Sequence, residues 1–130
     1  MRVALASHAF SWENAGGGEV LVRLLAGHLA AMGHEVHVLT ADARGAAEPS
    51  PFAVRVVPSL STLAFRAALR EVRPDVVDVH NMEASVPVVL AARSLRLPVV
   101  VTANSAWPTC LFADMYRPGH GLCETCSVAG

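Results

Sequence analysis

The sequence predicts an α/β domain in which a parallel sheet of about five strands carries helices on both faces. Three observations predict it. Short apolar runs alternate with amphipathic helical stretches, the runs are apolar at consecutive positions, and polar residues and histidines gather where the runs end. Alternation of this kind builds βαβ units, because parallel neighbours need a crossover between them. Strands apolar at every position are buried on both sides, as a sheet between two helix layers requires.

Taken in order, Arg2 to Ala6 reads as a buried strand that stops at Ser7-His8. Glu19 to Met32 reads as an amphipathic helix, since Val20, Leu21, Leu24, Leu25, Leu29 and Met32 recur at helical spacing, and Gly33 sits where a helix ends. Glu35 to Thr40 is the second strand. After an Ala/Gly/Glu/Pro loop, Phe52 to Val57 is the third, closed by Pro58. Ser59 or Ser61 can cap a helix carrying Leu63, Phe65, Ala68, Leu69 and Val72, and Pro74 ends it at Arg73. Asp75 to Val79 is strand four. Ser85 before Val86-Pro87 reads as a helix start, and that helix runs to about Arg96. Leu97 to Thr102 is strand five, completing a Rossmann-like sheet.

The 130 residues are the size of one compact domain, and a hydrophobic fraction of 53% argues for a filled core rather than disorder. A formal charge of −1 gives no basic stripe for nucleic acid, and all basic residues are arginines. Runs such as Val86 to Ala92 and Leu97 to Val101 are far shorter than the ~20 residues of a membrane span, so no transmembrane segment is expected. The apolar start Met1 to Ala6 is too short for a signal-peptide core. Three cysteines cannot all pair, and all lie from Cys110 onward, which fits a reducing cytoplasm, with a membrane-peripheral position left open.

In a parallel α/β sheet, ligands sit outside the carboxyl ends of the strands. Those ends are His8 to Gly18, Thr40 to Arg44, His80 to Glu83, and Asn104-Ser105. The first holds Gly16-Gly17-Gly18-Glu19. A dinucleotide fold places G-x-G-x-x-G in a tight turn directly after the strand, whereas here His8 to Ala15 intervenes and the glycines are consecutive, so NAD and FAD are disfavoured. No G-K-[ST] follows, which excludes a P-loop. What remains is a long loop leading into a helix, where bare backbone N–H groups can meet a sugar or phosphate.

Gly16-Gly17-Gly18-Glu19, the segment Leu24 to Leu29, and Met32-Gly33-His34-Glu35-Val36-His37-Val38-Leu39-Thr40 resemble the N-terminal domain of glycosyltransferase family 4. Arg73-Pro74-Asp75-Val76-Val77-Asp78-Val79-His80-Asn81 is similar to that family's "PDvvHvHn" strand, with Asp78 in place of its first histidine. Val99 to Cys110 is similar to a "vvvTlHDyWllC" segment, with Asn104-Ser105 in place of His-Asp. The resemblance implies the N-terminal lobe of a GT-B enzyme: a retaining transferase that moves a sugar from a nucleotide-sugar donor to a sugar or lipid-linked acceptor, with no cofactor required. It implies catalytic positions at His80 and Asn104 and substrate contacts from His8, Gly16, Gly17, Gly18, Glu19, Asn81 and Ser105. An amide at 104 can bind a hydroxyl but cannot titrate near neutrality, which favours sugar binding over proton transfer there. In such enzymes a second lobe holds the nucleotide. This chain alone is therefore expected to be inactive, working with a partner chain that carries that lobe; the alternative is a non-catalytic sugar- or nucleotide-binding remnant.

Two segments are expected: a Rossmann-like domain over 1–108 and a cysteine-containing tail over 109–130. In the tail, Cys110, Cys123 and Cys126 include a C-x2-C pair able to wrap a structural zinc ion, with His120 or Asp114 as a fourth ligand; free thiols or an incomplete site are the alternatives.

Overall fold

A computed structural model describes residues 1–13, 16–45, 49–106, 116–117 and 121–122. Five parallel strands form one sheet: β1 (Arg2–Ser11), β2 (Glu35–Arg44), β3 (Ala53–Val56), β4 (Val76–His80) and β5 (Val99–Thr102), in the spatial order β3-β2-β1-β4-β5. The helices are α1 (Gly17–Ala31), α2 (Thr62–Val72) and α3 (Met82–Ser94). A separate two-residue antiparallel pair joins Tyr116–Arg117 to Gly121–Leu122. The expected Rossmann-like sheet is present; the boundary expected at 108/109 lies outside the described residues.

Crossover handedness distributes the helices. The chain steps from β1 to β2 in one direction, then returns across β1 to reach β4 and β5 in the other. Right-handed connections therefore put α1 on one face and α2 with α3 on the opposite one. The core divides accordingly. Val3, Leu5, Val36 and Val38 pack with Val22 and Ala26 of α1. Ala4, Ala6, Leu39, Val77 and Val79 pack with Phe65, Leu69 and Val72 of α2 and with Ala84, Val88, Ala91 and Ala92 of α3. β1 thus shows large residues to α1 and alanines to the other layer, the period-two alternation of a strand buried on both faces.

Most element ends shift by a residue or two from the sequence reading, β5 for example starting at Val99 rather than Leu97, and three differences bear on the site. β1 continues to Ser11 and β2 to Arg44, pairing in one register from Arg2↔Glu35 to Ser11↔Arg44. Ser7 and Thr40 do not end these strands, because their hydroxyls are satisfied within the fold: Ser7 Oγ lies 2.8 Å from Ala9 O, and Thr40 Oγ1 donates to His8 O at 3.2 Å or to Asp42 O at 2.9 Å. β4 pairs β1 only from Val3 to Ala6, so the ends of β1 and β2 project as a two-stranded ribbon. Phe10, Trp12 and Phe52 steady it, with Trp12 stacked on Phe52 at 5.8 Å and edge-on to Phe10 at 5.0 Å. The second difference is that α1 starts at Gly17 rather than Glu19. The third is that α3 starts at Met82 rather than Ser85, whose hydroxyl instead donates back to Asn81 O at 2.6 Å. Pro87 therefore lies inside the helix, where it withholds one backbone donor.

The amino edge of the sheet is closed by local contacts. Arg2 N donates to Asp75 Oδ2 at 2.7 Å, Arg2 Nη1 to Val72 O at 3.0 Å, and Arg2 Nε meets Glu35 Oε2 at 2.8 Å. β5 is the edge strand of the five-stranded sheet among the described residues, with Val100 51% and Val101 45% exposed.

Candidate functional site

Strand order reverses between β1 and β4, and the crevice outside their carboxyl ends is where this architecture takes ligands. α1 enters that crevice from one face and α3 from the other. Neither start is closed by its own side chain: the N-cap residues Gly16 and Asn81 make no side-chain capping bond. α1's first intrahelical bond is Val20 N to Gly16 O at 3.1 Å, so the earlier N–H groups of its first turn have no helical acceptor.

Gly18 shows how closely the two sides approach. A Cβ at this position would lie 3.0 Å from Asn81 Nδ2 and 3.8 Å from Asn104 Nδ2. Two side-chain amides, one after β4 and one just past β5, therefore converge on the first turn of α1. Ser7 Oγ, 2.5 Å from Asn81 Oδ1, fixes the near amide with its oxygen toward β1 and its nitrogen toward Gly18. Asn81 holds φ 72 with ψ 146, outside the left-handed helical region that asparagine tolerates and close to one almost confined to glycine, a strained conformation found at sites the fold over-determines. The arrangement is a set of hydrogen-bond donors, Asn81 Nδ2, Asn104 Nδ2 and the helix N–H groups, facing one crevice. It suits hydroxyl or phosphate oxygens.

Glu19 lies at the third position of the helix and folds back over Gly16, whose added Cβ would fall 2.7 Å from Glu19 Oε2. Beside it, between α1 and the ribbon tip, is a cavity of about 240 Å³ lined by Ser11, Glu13, Glu19 and Arg44 among others. The Arg44 guanidinium is bound by Asp42 at 2.5 Å, and this hydrogen bond, with the Asp42 and then the Glu19 charges, raises its pKa above the usual arginine value. Gly45 closes the ribbon at φ 81, a left-handed position in which a Cβ would press on Trp12 and Glu13 at 3.4 Å.

The remaining expected residues sit apart from the amide cluster. His80 is 0% exposed. Its Nε2 is 3.2 Å from Asp78 Oδ2, out of hydrogen-bond alignment, and neither ring nitrogen has a hydrogen-bond partner among the described residues. Asp78 in turn accepts from Thr102 Oγ1 at 2.7 Å. His8 is half-buried on the ribbon, its carbonyl accepting from Thr40, and Ser105 is exposed beside Asn104. Gly17 has open space around it. Cys110, Cys123 and Cys126, with His120 and Asp114, lie outside the described residues; no cluster of three metal-binding side chains occurs among the described ones. Sequence reasoning gave no site role to Ser7, Asp78 or Thr102, although Asp78 stands where the resembling motif has a histidine. Each is a polar residue in an apolar strand, which is the signal that could have found them.

An open parallel sheet with this strand order and a donor-lined crevice at its β1/β4 switch point defines the class of doubly wound domains that bind ligands at the carboxyl edge. Within that class the comparison is specific. The family model of glycosyltransferase family 4 matches residues 15–124, from just before the glycine run to beyond Asn104, and the chain belongs to glycosyltransferase family 4. No curated protein matches it. Its function is accordingly of the glycosyltransferase kind.

Proposed function

We propose that this domain forms the acceptor-side wall of a glycosyltransferase that moves a sugar from a nucleotide-sugar donor with retention of configuration, the nucleotide being held by the second lobe of such an enzyme. The convergence of Asn81, Asn104 and the uncapped start of α1 at the switch point carries this reading. In it, the first-turn N–H groups of Gly17, Gly18 and Glu19 face the donor's phosphate oxygens. The amides of Asn81 and Asn104 hold sugar hydroxyls, and Ser105 and His8 contact the acceptor. His80, fully buried at the end of β4 next to Asn81, is a positioning residue. Transfer needs stabilising groups on both sides of the bond exchanged, so one wall gives no turnover.

One observation favours a second reading. Asn81 and Asn104 cannot move a proton and the titratable His80 is enclosed, so the cluster can serve as a sugar- or nucleotide-binding module without catalysis.

The test is an amide-shift titration of the ¹⁵N-labelled chain with UDP-glucose and GDP-mannose. Saturable shifts are expected at Gly16–Glu19 and in the side-chain amides of Asn81 and Asn104, with affinity no tighter than roughly millimolar for a single wall. Shifts confined to the opposite edge, or none up to ~10 mM, overturn the site. Sugar transfer by the chain without any partner overturns the need for a second lobe, and binding without transfer in any reconstituted assembly favours the module.

A further inference from the structure

Glu19 sits at the start of α1 in a way that the amide cluster does not explain. It is the third residue of the helix, the position from which an acidic side chain reaches back toward the N-cap and complements the helix dipole. The carboxylate does reach back. A Cβ on Gly16 would lie 2.7 Å from Glu19 Oε2, and its three nearest atoms would all belong to that carboxylate. Gly16 holds φ -67, which any residue can adopt, so it is the carboxylate above it that leaves no room for a side chain. The protein thus places an anion of its own over the helix start.

No cation is paired with that carboxylate among the described residues. Arg23, one turn further along α1, donates from Nη1 to Trp12 O at 2.6 Å. Arg44 lines the same cavity of about 240 Å³ as Glu19, and its side chain is 70% exposed. Asp42 Oδ2 takes Arg44 Nε at 2.7 Å and Nη2 at 2.5 Å, leaving Nη1 without a partner among the described residues. The Glu19 charge already acts on Arg44, since it is one cause of the raised arginine pKa. Glu13, the other acid lining the cavity, offers Glu19 only repulsion.

We infer that Glu19 and Arg44 form a carboxylate gate that sets how strongly the crevice takes an anionic ligand. With Glu19 over Gly16 the helix start is neutralised from within, and an arriving phosphate meets a like charge. A swing of the carboxylate across the cavity to Arg44 Nη1 relieves that repulsion and frees the first-turn N–H groups for the ligand. The gate rests on the donor-phosphate reading above. It makes Glu19 a specificity-determining residue that opposes an anion, whereas a direct sugar contact would favour the ligand.

The test is an amide-shift titration of the parent, Glu19→Gln, Arg44→Gln and the double variant with UDP-glucose and with inorganic pyrophosphate. Glutamine keeps the length and polarity of the side chain and removes its charge. Glu19→Gln is expected to tighten both ligands at least ~5-fold, an effect that shrinks in high salt. Arg44→Gln is expected to weaken both by ~3-fold or more, and to change nothing when Glu19→Gln is already present, because it acts only by receiving the carboxylate. Without ligand, Glu19→Gln should melt roughly 1–3 °C below the parent at low ionic strength, as the helix start loses its own anion. Weaker binding by Glu19→Gln assigns Glu19 a direct ligand contact and overturns the gate. Unchanged affinity, an unchanged melting temperature, or an Arg44→Gln loss that persists in the double variant also overturns it. In each of these outcomes, ligand-induced shifts at Gly16–Glu19 in the parent leave the donor reading standing. Absence of those shifts from the parent and every variant overturns both.

Discussion

α1 and α2 both begin at the carboxyl edge of the sheet, and they begin differently. α2 is closed by its own sequence: Ser61 accepts from Ala64 N at 3.2 Å, and Arg73 ends the helix with its N–H on Leu69 O at 2.9 Å. α1 starts on glycines with no capping hydrogen bond; Glu19 folds back over Gly16, and the amides that approach Gly18, Asn81 and Asn104, come from the segments after β4 and β5. The difference separates two uses of the same fold. A helix start needed for stability satisfies its N–H groups locally. A start at the switch point leaves them facing the crevice, and helix packing supplies the stability that the missing cap does not, through Val22 and Ala26 on β1 and β2.

Breaking both regions at once requires damage to the core beneath α2. Phe65 is fully buried among Leu39, Leu69 and Val79, and Phe65→Ala is expected to cost about 3–5 kcal/mol in chemical denaturation. For a domain of this size that is a large part of the total stability. The nucleotide-sugar shifts should be lost along with the fold, which identifies a structural rather than a site effect.

The sequence made the layered sheet legible because strand and helix periods differ, although the stripe it marks on α1 is not the buried one: Leu21, Leu24 and Met32 are exposed, and Val22 and Ala26 face the sheet instead. Phe65, Leu69 and Val72 were all readable as core, and all are buried. The strand ends were less legible. Ser7 and Thr40 look like terminators when polarity alone is read, and only the fold supplies the carbonyl and amide partners that keep them inside long strands. The site was half legible for the same reason. The glycine run and Asn81 announce themselves by motif and position. That Gly18, rather than Gly16 or Gly17, is the glycine pressed by two amides depends on how α1 packs across the β1/β4 crevice, which no local pattern encodes. His80 could be placed at a strand end, but its enclosure follows from the layers packed around it.

The comparison of the two helix starts sharpens with a matched pair of substitutions. Ser61→Ala removes the α2 cap and is expected to cost about 1 kcal/mol while leaving the nucleotide-sugar shifts unchanged. Gly18→Ala should do the reverse. Alanine gains up to ~1 kcal/mol of helix propensity, part of which is lost as Asn81 yields to the new Cβ at 3.0 Å, so net stability stays within ~1 kcal/mol of the parent. The side-chain amide resonance of Asn81 should move, and ligand-induced shifts should fall by roughly 5-fold or more. If Gly18→Ala binds as the parent does, the crevice at Gly18 is a packing contact and the site must be sought elsewhere.

The smallest effect belongs to the amino edge. The carboxyl of Glu35 is held below the ordinary glutamate value of 4.5, first by its hydrogen bond with His37 and then by that with Arg2. A carboxylate with a depressed folded pKa contributes stability that is present above 4.5 and is lost as pH falls through its folded value. The side chain is exposed, so salt screens the contribution and it stays minor. Glu35→Gln should therefore flatten the acid limb of a stability–pH profile slightly, below pH 4.5, and the flattening should shrink in high salt. Shifts at Asn81 and Asn104 on ligand addition should be the same in Glu35→Gln as in the parent at neutral pH, because Glu35 opens β2 at the end opposite the crevice. A change in those shifts would show that the amino edge communicates with the site, and the separation between a closed edge and an open one would have to be given up.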